Sequence, residues 1–229
     1  MKLIITGASG FIGGEVLSRA LASPSITSVI ALLRRPLTNS PHLSNPKLNV
    51  IVLEDFDIYP PSVLKQLEGA GACIWTVGAK SLNPAIIQQV SINYTLSAAR
   101  AFSSLPRPHN QPFRFICTSG FITIRDQEQS AWIFGEGRKA AGRAETAILD
   151  FGTGTQGFES FVVRPAGVLK AEGGWGAWVA WVARKTGLCI GVDELSAWML
   201  ELARWGGEKM VWESAELRSR GRDLLDAGE

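Results

Sequence analysis

The 229-residue sequence predicts an α/β fold, a doubly wound parallel sheet carrying a small Trp-rich cap at its C-terminal end. Three observations carry this expectation. Short, almost wholly apolar runs alternate with longer segments of helical periodicity, as in a parallel sheet covered on both faces. The first apolar run ends in a glycine-rich turn that opens the first helix. Six of the eight tryptophans fall after residue 170, where the alternation fades.

The elements follow in order. Residues 2–6 read as the first strand and 11–22 as a helix that stops before Pro24. Residues 28–33 and 48–53 read as buried strands. A short helix over 61–67 has Pro61 at its start, where a missing N–H is harmless. A fourth strand is expected over 72–77. One helix is expected over 84–103, with Ile86, Ile87, Val90, Tyr94, Leu96 and Ala98 on a helical face. Residues 113–118 read as a fifth strand, 138–151 as a helix and 161–163 as a sixth strand. A single domain over 1–229 is expected, with 170–229 as its cap. Trp175, Trp178 and Trp181 recur every third residue and share a broad helical face. They read as packing for that cap, as the wall of an apolar, aromatic substrate pocket with Trp175 and Trp178 the substrate candidates, or as a membrane-surface patch.

Composition narrows the function. Hydrophobic residues make up 46% and charged residues 19%, enough apolar surface to exclude disorder as the main state. A net charge of +2, from 23 basic and 21 acidic groups, excludes a strongly basic nucleic-acid binder. The only histidines, His42 and His109, sit beside prolines in loop-like sequence, which argues against a histidine-rich metal site. Cys73, Cys117 and Cys189 form no CxxC spacing and read as reduced thiols. There is no run of about 18 apolar residues, so no membrane span is expected. A strand stands at the start with no leader-like segment before it, and the expectation is a soluble, cytoplasmic protein.

The motif that carries chemistry is Thr6-Gly7-Ala8-Ser9-Gly10-Phe11-Ile12-Gly13-Gly14, between the first strand and the first helix. Gly7 permits a sharp turn, Gly10 permits backbone approach to a pyrophosphate, and Gly13 permits close packing of helix on strand. The helix start then offers unpaired N–H groups and partial positive charge to phosphates. This predicts a dinucleotide site. No carboxylate lies between Glu15 and Glu54, where a site for NAD would place one to bond the ribose. Arg34 and Arg35 end the second strand instead. Two guanidinium groups suit a 2′-phosphate, so NADP(H) is favoured over NAD(H). The alternative is that both arginines form a solvated edge.

With these residues in view, the chain resembles the extended and atypical short-chain dehydrogenase/reductase superfamily. It looks most like the atypical branch containing the Tat-interacting protein and nucleoside-diphosphate-sugar-epimerase-like proteins. The order of later pieces fits: Arg34-Arg35, then Asp55-Phe56, Thr76-Val77-Gly78, Thr118-Ser119-Gly120 and Arg164-Pro165. The resemblance implies a Rossmann fold, adenine contacts from Asp55 and Phe56, and close passage of the cofactor at Thr76, Val77, Gly78 and Pro165. It also implies a substrate-oxygen contact from Ser119 and pairing into a homodimer through helices.

One part of the pattern is missing. The superfamily uses a tyrosine with a lysine four residues later on one helix, a spacing that puts both on one face. Here Val63 follows Tyr59 by four residues and Ala98 follows Tyr94 by four, so no Tyr-x-x-x-Lys exists. Matching Gly142 and Glu145 to the residues after that lysine puts Gly137 and Ala141 in the catalytic positions. A shifted match puts Phe134 and Arg138 there. Three readings stay open. Hydride transfer to a small apolar molecule would proceed with Ser119 and either Arg138 or Lys139 polarising the carbonyl or supplying the proton through water. Non-redox isomerisation, cyclisation or dehydration would use Glu136, Asp126 or Glu128 as its acid. A nucleotide-sensing module would bind NADP(H) without turnover.

Overall fold

The computed structural model describes residues 1–38, 40–79, 83–107, 111–120, 123–126, 128, 135–170 and 189–228. Six strands build most of the sheet: β1 (Lys2–Thr6), β2 (Ser28–Leu33), β3 (Leu48–Val52), β4 (Ala70–Trp75), β5 (Phe113–Thr118) and β6 (Phe158–Arg164). The seventh, β9 (Val211–Glu213), closes one edge. Their order is β3-β2-β1-β4-β5-β6-β9, with every pairing parallel. Among the described residues β7 (Gly167–Leu169) and β8 (Cys189–Gly191) form a separate parallel pair.

Alternation along each strand sends side chains to two cores. Leu3 and Ile5 face one, with Val16, Leu17 and Ala20 of α1 (Phe11–Ala22) and Leu195, Met199 and Leu202 of α6 (Val192–Trp205). Ile4 faces the other, under α2 (Pro61–Leu67), α4 (Tyr94–Ser103) and α5 (Gly135–Gly154). This second core is an aromatic layer. Phe113 stacks on Phe158 at 5.7 Å, and Phe56 meets Trp75 at 5.4 Å. Both tyrosines belong to it, Tyr59 against Phe102 at 5.3 Å and Tyr94 against Phe56 at 5.9 Å.

Several elements differ from their expected bounds, each for a physical reason. β4 starts earlier and ends at Trp75, so Thr76, Val77 and Gly78 leave the sheet instead of extending it. The single helix expected over 84–103 is divided into α3 (Pro84–Ile87), a π-helical turn over Gln88–Asn93, and α4. α5 continues past Phe151 because Gly152 closes on β6: a Cβ there would stand 2.1 Å from Ser160 Oγ. β6 extends back to Phe158 through polar Glu159, whose Oε2 accepts from Arg114 Nε across the strands at 2.9 Å.

Residues 189–228, expected within the cap, complete the sheet. α6 covers α1 and the face of β4 and β5, and β9 pairs with β6 before α7 (Ser214–Asp226) returns over α6. Trp198 meets Trp212 at 4.8 Å, and Trp212 is buried. Trp175, Trp178 and Trp181 lie outside the described residues. No helix of the described residues is long and apolar enough to cross a membrane.

Two outcomes are expected from this packing. An alanine in place of a helical glycine ordinarily gains about 1 kcal/mol. Gly221→Ala reverses the sign, because its Cβ would stand 2.0 Å from the Glu194 carbonyl where α7 crosses α6. A loss of about 1–3 kcal/mol, typical of overpacking, is expected as a lower urea midpoint. The second outcome concerns the buried thiols. Burial pushes Cys73 up, and it pushes Cys117 up to about 12 from an ordinary 9.0. The unfolded chain therefore releases thiol protons that the folded chain retains. Stability is full below pH 9 and falls as pH rises towards 12. Urea midpoints measured across that range should decline, and Cys117→Ala should make the decline shallower.

Candidate functional site

The glycine turn joins β1 to α1 at the point where strand order reverses. β1 lies between β2 and β4, so the connections leaving β1 and β4 go to opposite sides and a crevice opens at their C-terminal ends. Two threonines tie this opening together: Thr76 Oγ1 donates to the Thr6 carbonyl at 2.7 Å, and Thr76 N donates to Thr6 Oγ1 at 3.2 Å. Gly7 turns with φ +67°, and a Cβ on it would stand 2.3 Å from Thr76 Oγ1. A Cβ on Gly13 would stand 2.2 Å from the Gly7 carbonyl oxygen. Both glycines are therefore required by space, and Gly7 also by backbone conformation. Gly10 caps α1 with no side-chain hydrogen bond, and the first helical turn carries no acidic residue. The positive end of the helix thus meets no negative charge from its own first turn. Ser9 and Gly10 are exposed, Phe11 is 52% exposed and Ile12 is half-buried.

A cleft of about 390 Å³ continues from this crevice over the ends of β4 and β5. Val77, Gly78 and Ala79 form one side, following directly on Thr76, and among the described residues nothing stands within 4 Å of where Gly78 would carry a Cβ. Cys117, Thr118, Ser119 and Gly120 form the floor. Gly137, Ala141 and Ala144 of α5 form the wall, facing Ile87, Ser91 and Thr95 on the helix broken by the π turn. The two positions matched to the missing tyrosine and lysine thus both border the cleft, one helical turn apart, and neither bears a group that transfers protons. Among the described residues, a Cβ on Gly137 would meet nothing nearer than Ile87 Cδ1 at 3.8 Å. Ser119 Oγ and Thr123 Oγ1 share a hydrogen bond at 3.0 Å in this cleft, and Arg138 borders it as well.

A buried ion network anchors the wall. The Glu145 side chain is 1% exposed. Its Oε2 accepts from Arg125 Nε at 2.8 Å and its Oε1 from Arg164 Nε at 2.9 Å. A second Arg164 nitrogen, Nη2, also donates to Oε2. Arg164 Nη1 reaches Glu213 Oε1 at 3.0 Å, which ties α5, β6 and β9 to the segment holding Thr123. Beside it, Gly142 has no room for a Cβ, which would stand 1.8 Å from the Ile124 carbonyl. The backbone N–H of Ile124 in turn donates to the Arg138 carbonyl at 3.1 Å.

The other sequence candidates distribute as follows. Arg34 and Arg35 are exposed just beyond β2, on the same sheet end as the glycine turn. Asp55 is exposed, and its Oδ1 accepts from the Asp57 amide at 2.9 Å. Phe56 is 1% exposed, its ring inside the aromatic core, so any adenine contact from this residue falls to its backbone. Pro165 follows β6 and is buried. Lys139 lies on α5 away from the cleft-lining positions, which takes it off the wall. Asp126 and Glu128 are exposed, do not line the cleft, and pair locally through the Glu128 amide at 3.0 Å. Glu136 lies in the first turn of α5, and its side chain is outside the described residues.

Sequence reasoning did not single out the Arg125–Glu145–Arg164 network or Thr123. One signal was present. Glu145 stands four residues after Ala141 and three before Ile148, on the apolar face of its helix, and a carboxylate there demands buried partners.

No protein-family model matches the chain. One curated relative, leucinostatins biosynthesis cluster protein T of Purpureocillium lilacinum, is 32% identical over 123 residues. That match covers 52% of this chain and 42% of the relative, so the similarity spans about two fifths of that protein. Among solved structures, vestitone reductase from alfalfa superposes with a TM-score of 0.68 at 16% identity, over 93% of this chain and 76% of that one. The PhqB reductase domain from Penicillium fellutanum gives 0.66 at 15%, over 93% and 66%. The enzyme WbmF of Bordetella bronchiseptica, solved with NAD+, gives 0.66 at 12%, over 98% and 77%. At these identities the likeness is one of fold, and the chain has the seven-stranded parallel Rossmann-like architecture of these proteins.

Proposed function

We propose that this chain binds NADP(H) across the crevice between β1 and β4 and acts as a reductase on a small apolar molecule held in the adjoining cleft. The observation that supports this most is the cradle at Gly7 and Gly13, where Cβ atoms would stand 2.3 Å from Thr76 Oγ1 and 2.2 Å from the Gly7 carbonyl. Side chains are excluded there while the helix start stays open, which suits a diphosphate. Thr6, Ser9, Gly10, Phe11 and Ile12 would complete that contact. Arg34 and Arg35 would meet a 2′-phosphate, Asp55 and the Phe56 backbone the adenine, and Thr76, Val77, Gly78 and Pro165 the remainder. Bound there, the cofactor supplies a two-electron hydride. The resemblance of the cofactor-binding turn to short-chain dehydrogenases and the reductases among its fold neighbours agree with this.

The chain's own residues have distinct tasks in this reading. Ser119, oriented by its hydrogen bond to Thr123, donates to a substrate oxygen. Arg138 lends positive charge to that oxygen as electrons move onto it. Gly137, Ala141 and Ala144 keep the wall apolar and leave room for the substrate. Trp175 and Trp178, outside the described residues, remain the sequence's candidates for substrate contact. A small aromatic or aliphatic compound suits such a pocket.

A second reading has the same site perform acid-assisted isomerisation, cyclisation or dehydration. The absence of a phenol and an ammonium group at positions 137 and 141 favours it. Glu136 is then the acid, since Asp126 and Glu128 lie off the cleft. The two separate cleanly, because the second converts substrate at constant NADPH.

The cofactor assignment is tested by calorimetry with NADPH and NADH. Hydrogen bonds to charged groups contribute about 1.5–3 kcal/mol each. The double variant Arg34→Ala, Arg35→Ala should therefore lose roughly a hundredfold or more in NADPH affinity and leave NADH unchanged. Equal losses for both nucleotides would remove the phosphate role of the arginines.

A further inference from the structure

The loop after β3 and one wall of the cleft share a helix. Asp55 and Phe56, proposed above as the adenine contacts, lead directly into Asp57, whose amide donates to Asp55 Oδ1 at 2.9 Å. The Asp57 carboxylate faces the π turn and α4. Gln89 Nε2 donates to its Oδ2, and Ser97 Oγ donates to its Oδ1 at 3.4 Å. Gln89 Oε1 in turn accepts from Asn93 Nδ2 at 2.8 Å. One side-chain amide is thus spent at both ends, on the loop and along the helix. The Phe56 ring adds a tie to α4, edge-on to Tyr94 at 5.9 Å.

Residues on either side of Gln89 border the cleft. Ile87, Ser91 and Thr95 line it across from α5, and Ile87 Cδ1 is the described atom nearest to where Gly137 would carry a Cβ. Thr95 Oγ1 donates to the Ser91 carbonyl at 2.9 Å. A π turn closes i→i+5 bonds and so holds one residue more than an α turn. Each residue of an α-helix advances about 100° around the axis. Relaxation of this turn to α geometry would therefore swing Ile87 by about 100° relative to Thr95 and take it off the wall. The Gln89–Asn93 bond lies wholly within the turn, and the Asp57 bond holds Gln89 from outside it.

Resting on the cofactor reading above, we infer that Gln89 is a positioning residue that joins the two halves of the site. An adenine nucleotide at Asp55 and Phe56 fixes Asp57, and Asp57, acting through Gln89, holds the π turn that presents Ile87 and Ser91 to the cleft. Ser97 and Tyr94 anchor α4 to the same loop, so α4 is the fixed part and the turn before it is the part that responds. Gln89 acts through the helix and not by contact with the substrate. By linkage, a ligand that packs on the Ile87 wall strengthens adenine binding by the same factor.

The test uses the whole chain with adenosine 2′,5′-bisphosphate, which carries the adenine half of NADP and has no nicotinamide to reach the cleft. The amide signals of Ser9 and Gly10 report binding of this probe, and the Ile87 δ1-methyl signal reports the cleft wall. In the unmodified protein the probe should shift all three. Gln89→Glu sets two carboxylates against each other, and it should abolish the Ile87 shift while the two amides still respond. Adding Asp57→Asn to Gln89→Glu restores a donor and an acceptor with their roles exchanged, and the Ile87 shift should return. A purely structural contact gives no ligand-dependent signal that follows this exchange. An Ile87 methyl that stays unmoved in the unmodified protein while Ser9 and Gly10 respond would overturn the inference, whether or not either variant folds. So would a full Ile87 shift in Gln89→Glu, or its absence in a double variant that still binds the probe. Silence at Ser9 and Gly10 in the unmodified protein would instead overturn the cofactor reading on which this rests.

Discussion

The contact between the glycine turn and the first residue beyond β4 governs the rest of this structure. Thr76 reaches back to the Thr6 carbonyl, and Gly7 and Gly13 sit so close that neither tolerates a Cβ. The two strands at the switch point are thereby fixed to each other at their C-terminal ends. α1 is drawn hard against the sheet with its first turn uncapped by any side chain. The direction of the helix, the opening of the crevice and the departure of Val77–Ala79 along the cleft all follow from that one close approach.

A second constraint acts from the opposite side. Glu145 is a buried carboxylate, and its two arginine partners come from different parts of the chain. Removing one partner of a buried pair is far more disruptive than the pair is stabilising, so such a network mainly fixes geometry. Here it sets α5 against β6 and holds the segment carrying Thr123. The wall it positions bears glycine and alanine at the two positions that the sequence resemblance matches to a tyrosine and a lysine. Hydroxyls and the Arg138 guanidinium border the cleft beside that wall.

The first six strands were legible because each centres on a mostly apolar run, and the turn was legible because its glycines follow a strand directly. The bounds were less so. Glu159 and Ser160 hid the start of β6, and only pairing with Arg114 and Gly152 explains them there. Gly152 looked like a helix end but is a packing contact. The π turn over Gln88–Asn93 left no trace in residue periodicity. Residues 189–228 were read as part of a cap because tryptophans dominated that region, yet Trp198 and Trp212 pack against each other beneath the completed sheet. At the site, the vacancy at positions 137 and 141 was a matter of counting. The partners of Glu145 depend on tertiary structure and could not be counted.

The central claim is that a dinucleotide's diphosphate rests on the start of α1. Amide chemical shifts of isotope-labelled protein titrated with NADPH test it most directly. The account predicts that the largest changes fall on the backbone amides of Ser9, Gly10, Phe11, Ile12 and Gly13. Saturating NADPH that leaves those amides unmoved would contradict it.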